Sequence, residues 1–546
     1  MSDHRWADTV FVNGTVHQQH GRAAASAVAV DRGRIVAIGA DAVAQHRGPR
    51  TEVVDLAGRA LLPGFIDSHL HLVGGGIARL QCDLSGVHSL EGYRQLIADY
   101  AAGHPGPWIE GFGWYGDLFP GGFPHRRELD RLIPDRPAAF QSHDAHSLWV
   151  NSAALRIAGI DKDTPDPPGG RIARDSDGEP TGHVLELAAD LIDAHRPAPD
   201  RGTVDRALLE AQAYLHGLGI TAWQDALVGE ALGMPDPYDH YRRAAADGSL
   251  ASRVTGALYW HPGSGLDLAR ELAARRDAAD GRFRATAAKF ILDGNCENLT
   301  GAVFDAYAGH PGEHGVLQFG DDELAAAARA LDDLGFDLHL HAVGDRAVAQ
   351  ALDAIEATAN RGRRRHQIAH IDLIARPDLE RMRRLGTIAN VTPLWARHDP
   401  VLVETKLPLL TADQQERHFA YGSLARAGVR VAFGSDWPVS TPDPIANIHT
   451  AVNRTAAPGD PHASDPRSLA DPLLPGEALP VEAAVRAYTS EAAHACGLSE
   501  FAGSIEVGKE ADLVVLDRDP LQVESAALGT LRVEATFVHG RLVHER

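Results

Sequence analysis

Histidine residues stand at the ends of short apolar segments, in a spacing that suits metal binding. The clearest pair, His69 and His71, closes the segment GFIDSHLH at 64–71. Side chains two apart on a strand point to the same face, so both imidazoles can hold one divalent cation. Taken alone, such a pair is more often two polar residues on a solvated strand face. Its interpretation therefore depends on what the other segments carry.

Later apolar segments end in the same residue types. They supply His339 and His341 in FDLHLHAVGD, His370 in HQIAHID and Asp436 in VRVAFGSDW. A lone histidine on an apolar strand is typically a packed core residue, and a lone aspartate in GSDW is typically a turn or cap residue. Packing alone does not explain such groups at four strand ends. The combination therefore predicts a metal centre.

Lys289 lies inside the apolar segment TAAKFILDG at 286–294. A lysine in such a strand is costly unless it is paired or modified. Burial lowers the pKa of its amine, which can then take up carbon dioxide as a carbamate and bridge two cations. The alternatives are that the Lys289 side chain extends to the barrel mouth or pairs with Asp293.

Eight apolar segments alternate with helical stretches such as DELAAAARALDDLG and RAVAQALDAIEATAN. The segments cover 64–71, 219–226, 252–259, 286–294, 336–345, 366–372, 387–393 and 429–437. Eight successive β-α units predict an α/β fold, a (β/α)8 TIM-type barrel, in which active groups lie at the carboxyl ends of the strands.

The ends of the chain and one long gap complete the predicted organisation. Short strand patterns within 8–60 and 511–546 predict one small composite β-sandwich domain built from 1–60 and 500–546. The barrel then occupies 61–499. About 145 residues separate the first two barrel segments, where a β-α unit needs about 30, so 75–210 is predicted to be an insertion or lid.

Composition excludes several classes of protein. The formal net charge of −22 disfavours nucleic-acid binding. The three cysteines form no CxxC pair, which excludes a disulfide scaffold and a thiolate zinc cluster. We find no secretory signal and no apolar run long enough to cross a membrane, so we expect a cytoplasmic protein without a membrane partner.

The segments LPGFIDSHLHL, KFILDG, HLHAVGD, IAHIDLI and GSDWPVS, in that order, resemble the amidohydrolase superfamily. The resemblance is greatest to its Amidohydro_3 branch, the group of YtcJ-like proteins and N-substituted formamide deformylase. It extends over nearly the whole chain, including HDAHSLWVNSAAL at 143–155 and GGRIARDSDGEPTGHVLE at 169–186.

The resemblance implies a metal-dependent hydrolase of a C–N amide-type bond, such as an N-substituted formamide, with one or two Zn²⁺ ions and a homodimeric state. Its implied metal ligands are His69, His71, a carbamylated Lys289, His341 with His339 as the alternative, His370 and Asp436. Asp436 would also move protons. Some relatives have a cysteine at the bridging position, and Cys296 lies seven residues beyond Lys289. The alternatives in function are a deaminase or cyclic-amide hydrolase with the same centre, and a metal-binding sensor or scaffold without catalysis.

Further residues are candidates for substrate contact. His146 in HDAHSLWVNS is a second candidate catalytic residue, which would hold the substrate or its carbonyl oxygen, or else bond within its own loop to Asn151. Trp437, Trp395, Trp114 and Tyr115 are candidates for an apolar substrate wall, with Trp437 favoured because it follows Asp436.

Overall fold

A parallel eight-stranded barrel forms the middle of the chain, in a computed structural model that describes residues 6–18, 21–143, 147–167, 170–231, 233–463 and 466–546. Its strands, numbered first to eighth below, are Phe65–Leu70, Ile220–Val228, Arg253–Tyr259, Phe283–Ile291, Asp337–Ala342, Gln367–His370, Ile388–Val391 and Val431–Phe433. Each strand pairs with the next one along the chain. The predicted TIM-type barrel is confirmed, with all eight strands at the predicted positions.

The first and eighth strands meet where the barrel closes. Ser68 Oγ donates a hydrogen bond to the Phe433 carbonyl at 2.7 Å. At the next residue of the first strand, the His69 carbonyl accepts a hydrogen bond from the backbone N–H of Asp436 at 2.8 Å. These bonds hold the loop after the eighth strand against the carboxyl end of the first.

Helices surround the barrel. They are Leu72–Leu80, Arg201–Gly217, Tyr238–Asp247, Asp267–Ala278, Asp321–Asp333, Asp345–Glu356, Arg376–Leu385, Ala412–Glu416, Tyr421–Arg426, Pro444–Asn453, Pro466–Ala470, Val481–Ala487 and Ser490–Ala495. In Asp345–Glu356 the buried residues Val348, Leu352 and Ile355 recur with helical spacing and face the strands. Within the described residues, no helix is both long and apolar enough to cross a membrane.

Strands from both ends of the chain form the predicted β-sandwich. One sheet contains Arg34–Ile38, Val28–Asp31, Thr9–Val12 and Glu52–Asp55 in that order, and the helix Ala40–His46 follows its edge strand. The other contains Thr15–Val16, Ala60–Pro63, Leu513–Leu516, Val533–Val538 and Arg541–Glu545. Phe11 and Leu61 from the first end pack with Leu513 and Phe537 from the other in one buried cluster. Neither end could bury this core alone.

The long gap after the first barrel strand contains a sheet of its own. In spatial order its strands are Gly170–Arg174, Pro180–Glu186, Ser147–Val150, Ala138–Ser142, Ile109–Trp114 and Cys82–Asp83. The helices Leu90–Gly103, Arg126–Leu132, Ser152–Ile157 and Asp190–Asp193 accompany it. We call this unit the inserted sheet. The domain boundaries predicted from the sequence stay predictions.

Candidate metal centre

His69, His71 and Asp436 converge at the carboxyl end of the barrel. Asp436 Oδ1 lies 3.3 Å from His69 Nε2 and 3.2 Å from His71 Nε2. One ligand atom from each of the three residues lies within 4.8 Å of the other two. His69 and Asp436 are buried. Two imidazole nitrogens and a carboxylate oxygen are a donor set that suits zinc.

The backbone explains how Asp436 reaches the first strand. Asp436 has a φ of +57°, a left-handed conformation in which the chain turns sharply after the eighth strand. At the residue after Asp436, the Trp437 carbonyl accepts a hydrogen bond from the His71 N–H at 2.8 Å. Gly434 lies directly on His69, since a Cβ at Gly434 would come within 2.4 Å of the His69 Cβ. The absence of a side chain there permits the close approach.

His341 and His370 extend the cluster around the barrel. Their ring centroids are 4.4 Å apart, and the rings of His370 and His69 are 4.9 Å apart. His370 has a φ of +74° at the end of the sixth strand. The structure thus brings the histidines of the first, fifth and sixth strands together beside Asp436.

Lys289 lies on the fourth strand, directly opposite His339 on the fifth. Its side chain is buried. Burial lowers the pKa of Lys289 to about 8, against the opposing influence of Asp436 and Asp225. An amine with this pKa is partly neutral near pH 8 and can act as a nucleophile. The alternative bridging residue, Cys296, instead packs against Tyr307 and Val303, and burial raises the pKa of its thiol.

Charges within the cluster set its protonation. Burial lowers the pKa values of His69 and His370 well below their ordinary range, and neighbouring cationic groups add to this effect. For Asp436, burial raises the pKa, but the hydrogen bond from His71 and the nearby cations outweigh it and lower the pKa overall. Neutral imidazoles beside an ionised carboxylate are the protonation states that ligate a metal.

Buried imidazole nitrogens without a hydrogen-bond partner indicate whether the cluster suits a metal ion. His69 Nε2 and His370 Nδ1 are buried and have no hydrogen-bond partner within the described residues. An unpaired buried polar atom costs free energy, and a metal ion would satisfy His69 Nε2 together with Asp436. The residues present therefore fit a divalent cation.

Sequence reasoning missed two buried carboxylates. Asp67 accepts hydrogen bonds from the backbone N–H groups of His69 at 3.1 Å and Ser435 at 3.0 Å, and burial raises its pKa to about 7. Asp225 on the second strand accepts from Tyr241 Oη at 2.7 Å, and burial raises its pKa to about 6. The available signal was an acidic residue inside each apolar segment, GFIDS and AWQDA.

Two of the four aromatic candidates lie beside the cluster. Trp395 stacks on His370, with ring centroids 5.5 Å apart and 8° between the ring planes. Its Nε1 donates to Ser440 Oγ at 3.2 Å. Trp437 is buried against Gly75 and Tyr214. The Trp395 indole therefore borders the histidines, whereas the Trp437 ring packs against the helices Leu72–Leu80 and Arg201–Gly217.

The other aromatic candidates belong to the inserted sheet. Trp114 is buried in the core of that sheet, where its Nε1 donates to the Phe140 carbonyl at 2.8 Å. Tyr115 lies between the rings of His143 and His462, at centroid distances of 3.9 and 4.0 Å. His146 lies outside the described residues. Substrate contact by these residues stays a prediction.

Two contacts between described residues illustrate how the inserted sheet meets the mouth of the barrel. Asn298 Nδ2, in the loop after the fourth strand, donates to Glu186 Oε1 at 3.0 Å. The second contact joins His462, beyond the eighth strand, to His88 and Ser85. His462 Nδ1 lies 3.1 Å from His88 Nδ1, and His462 Nε2 lies 3.0 Å from the Ser85 carbonyl. His88 Nε2 is in turn 2.8 Å from Asp117 Oδ2.

Comparison with known proteins identifies the family. Residues 52–544 match the sequence profile of the Amidohydrolase family. The chain belongs to this family. It is 31% identical over 506 residues to YtcJ of Bacillus subtilis, with 92% of each chain covered. It is 30% identical to the N-substituted formamide deformylase of Arthrobacter pascens, covering 99% of this chain and 98% of that one.

A solved structure agrees with this assignment. An uncharacterized metal-dependent hydrolase from Pyrococcus furiosus superposes with a TM-score of 0.72 at 25% identity, covering 94% of this amidohydrolase and all of that chain. The predicted family and the hydrolase class are thereby confirmed.

Proposed function

We propose that this amidohydrolase cleaves the C–N bond of an amide-type substrate, with an N-substituted formamide as the first candidate. The observation that carries the proposal is the convergence of His69, His71 and Asp436 at the barrel mouth, with ligand atoms within 4.8 Å of one another. Near-complete alignment with a relative named N-substituted formamide deformylase supports the choice of substrate.

The metal-binding role is assigned to six side chains. They are His69, His71, Lys289, His341, His370 and Asp436. Lys289 would bridge two ions as a carbamate, which its burial and lowered pKa favour. The proposed metal is Zn²⁺, as one or two ions. A bound divalent ion supplies an acidified water molecule and polarises the substrate carbonyl.

Asp436 is the proposed proton carrier. Its carboxylate is ionised in the cluster because His71 and the nearby cations lower its pKa. It therefore accepts a proton from the attacking water and returns that proton to the departing nitrogen, which leaves as a neutral amine. Its position between His69 and His71 keeps the carboxylate oriented for both transfers.

The indoles of Trp395 and Trp437 are proposed to bind the apolar part of the substrate. Trp395 stacks on His370, and Trp437 follows Asp436 directly in the chain. The inserted sheet contacts the loop after the fourth strand through the hydrogen bond from Asn298 to Glu186. Together these groups would orient the substrate carbonyl towards Asp436.

The test is a product assay with metal-loaded protein. Purified protein containing Zn²⁺ is incubated with a series of N-alkyl and N-aryl formamides and the matching acetamides, and mass spectrometry follows formate, acetate and free amine. Formate and amine from the formamides alone would support the proposal. The matched control is Asp436→Asn, which has nearly the same shape but cannot accept the proton.

Other products would replace the proposed reaction. Ammonia from amino-substituted rings would identify a deaminase, and a ring-opened acid would identify a cyclic-amide hydrolase. Metal-replete protein that is inactive on the whole series would favour the sensor or scaffold alternative. Each outcome contradicts the formamide assignment.

A further inference from the structure

The ring of His69 makes a second contact on the side away from Asp436. His69 Nδ1 lies 3.0 Å from Nε2 of His339, and the two ring centroids are 4.8 Å apart. Both residues are buried, with exposed fractions of 1% and 0%. The contact spans the barrel interior, from the first strand to the fifth.

The position of His339 separates it from the ligand set. His339 and His341 point to the same side of the fifth strand, but His341 lies two residues nearer its carboxyl end. The side chain of His341 is 21% exposed and reaches the ring of His370, whereas His339 is enclosed beneath His69. His339 therefore contacts a proposed ligand from within the barrel.

The chemistry of imidazole fixes what this contact does. A neutral histidine that offers a lone pair from Nε2 must hold its proton on Nδ1. In His69, Nε2 faces Asp436 and Nδ1 faces His339, so the Nδ1 proton has an acceptor in His339 Nε2. Such a partner on the second nitrogen fixes both the tautomer and the ring orientation of a metal-binding histidine.

We propose that His339 is a positioning residue that holds His69 in the metal-binding tautomer and orientation. The inference rests on the proposed function only in that His69 binds a metal. His339 Nε2 accepts a hydrogen bond from the Nδ1–H of His69, which leaves His69 Nε2 free to bind the metal. A buried imidazole is costly, and His69 supplies a hydrogen bond to Nε2 of His339, while His339 Nδ1 has no hydrogen-bond partner within the described residues.

The test compares substitutions that differ in reach and in hydrogen bonding. His339→Gln places an amide oxygen near the position of the lost Nε2, where it can accept a hydrogen bond from His69 Nδ1–H, whereas the shorter His339→Asn cannot reach it. His339→Leu retains bulk without a polar atom. The matched control is His216→Gln, a buried histidine bonded to Ser252, outside the barrel interior.

Metal binding is measured by chelator competition with Co²⁺, together with the visible spectrum of the Co²⁺-loaded protein. We expect His339→Leu and His339→Asn to bind about 10–100-fold more weakly with an altered spectrum. His339→Gln should remain close to the parent in both, and His216→Gln should match it. If His339→Leu fails to fold, the Co²⁺ affinities and spectra of His339→Gln and His339→Asn still test whether the hydrogen bond to His69 matters.

Two results would overturn the inference. Parent-like affinity and spectrum in His339→Leu would show that His69 needs no such partner. Equal weakening by Gln, Asn and Leu would reduce His339 to a packing residue. A parent protein that binds no Co²⁺ would instead contradict the proposed function, so the two failures are distinguishable.

Discussion

Asp436 Oδ1 lies 3.2 Å from Nε2 of His71, which joins the loop after the eighth strand to the end of the first. The same oxygen is 3.3 Å from His69 Nε2, so a single carboxylate serves both histidines. Because it is ionised and sits among the other proposed ligands, its charge can be tested separately from its shape.

Asp436→Asn should lower turnover by about 10²-fold or more while the protein keeps metal, because the amide cannot accept a proton. Steady-state rates on the best substrate and elemental analysis of the same preparation measure the two properties. The control is Asp443→Asn, since Asp443 caps the helix Pro444–Asn453 and asparagine retains that cap. Unchanged turnover in Asp436→Asn would remove Asp436 from proton transfer.

Lys289→Ala should lose at least one metal ion per chain, because it removes the proposed bridging group. Elemental analysis after dialysis gives the stoichiometry. Added acetate should partly restore binding, since it can enter the vacated space as a replacement carboxylate. The surface substitution Lys162→Ala should leave the metal content unchanged. Full metal occupancy in Lys289→Ala would exclude the bridge.

Gly434→Ala should weaken metal binding and lower the free energy of unfolding. The added Cβ would lie 2.4 Å from the His69 Cβ and 2.7 Å from the His69 nitrogen, so the first strand must shift. We expect a loss of about 1–3 kcal/mol in the free energy of unfolding, measured by denaturant titration of metal-free protein. Gly362→Ala is the matched control, because its Cβ would meet nothing within 4 Å. Equal stability of the two variants would contradict the packing argument.

Acid should destabilise the protein through buried histidines away from the cluster. His216 bonds to Ser252 Oγ at 2.9 Å, and His366 Nδ1 accepts from the Leu338 N–H at 3.0 Å. Burial lowers the pKa of each to about 4. The unfolded chain therefore binds these protons first, and the free energy of unfolding falls between about pH 6.5 and pH 4, by up to about 3 kcal/mol per ring.

Denaturant titrations of chelator-treated protein between pH 7.5 and 4.5 measure this loss. His216→Gln should make the decline with falling pH shallower, because one of the rings that gain protons on unfolding is gone. The exposed His310→Gln should keep the parent slope. If both variants followed the parent curve, buried His216 would not contribute to the acid sensitivity.

The barrel was predictable because each strand is buried on both faces and reads as a continuous apolar run. The pairing of Asp436 with His69 and His71 was also foreseeable, since parallel strands bring their carboxyl ends to one edge. The contact between His339 and His69 was not, because it depends on how deep in the barrel each ring lies. Depth depends on strand stagger, which the sequence does not state.

The inserted sheet shows a second limit of sequence reasoning. Trp114 and Tyr115 are adjacent in the chain and were both assigned to a substrate wall, yet one is enclosed in the sheet core and the other meets His462 of the barrel. The contact between His88 and His462 joins residues 374 positions apart. No local pattern encodes a contact made by docking two separately built units.

The contact between His88 and His462 can be described by the number of N–H groups that its hydrogen bonds need. The Ser85 carbonyl and the Asp117 carboxylate, at its two outer ends, can only accept, so each faces an N–H, and the bond between the rings needs a third. Two neutral imidazoles carry only two such hydrogens. Burial lowers the pKa of His462 to about 4, which favours its neutral form. Two neutral rings make at most two of these three hydrogen bonds at one time. The inserted sheet is thus joined to the barrel by a polar contact between two histidine rings.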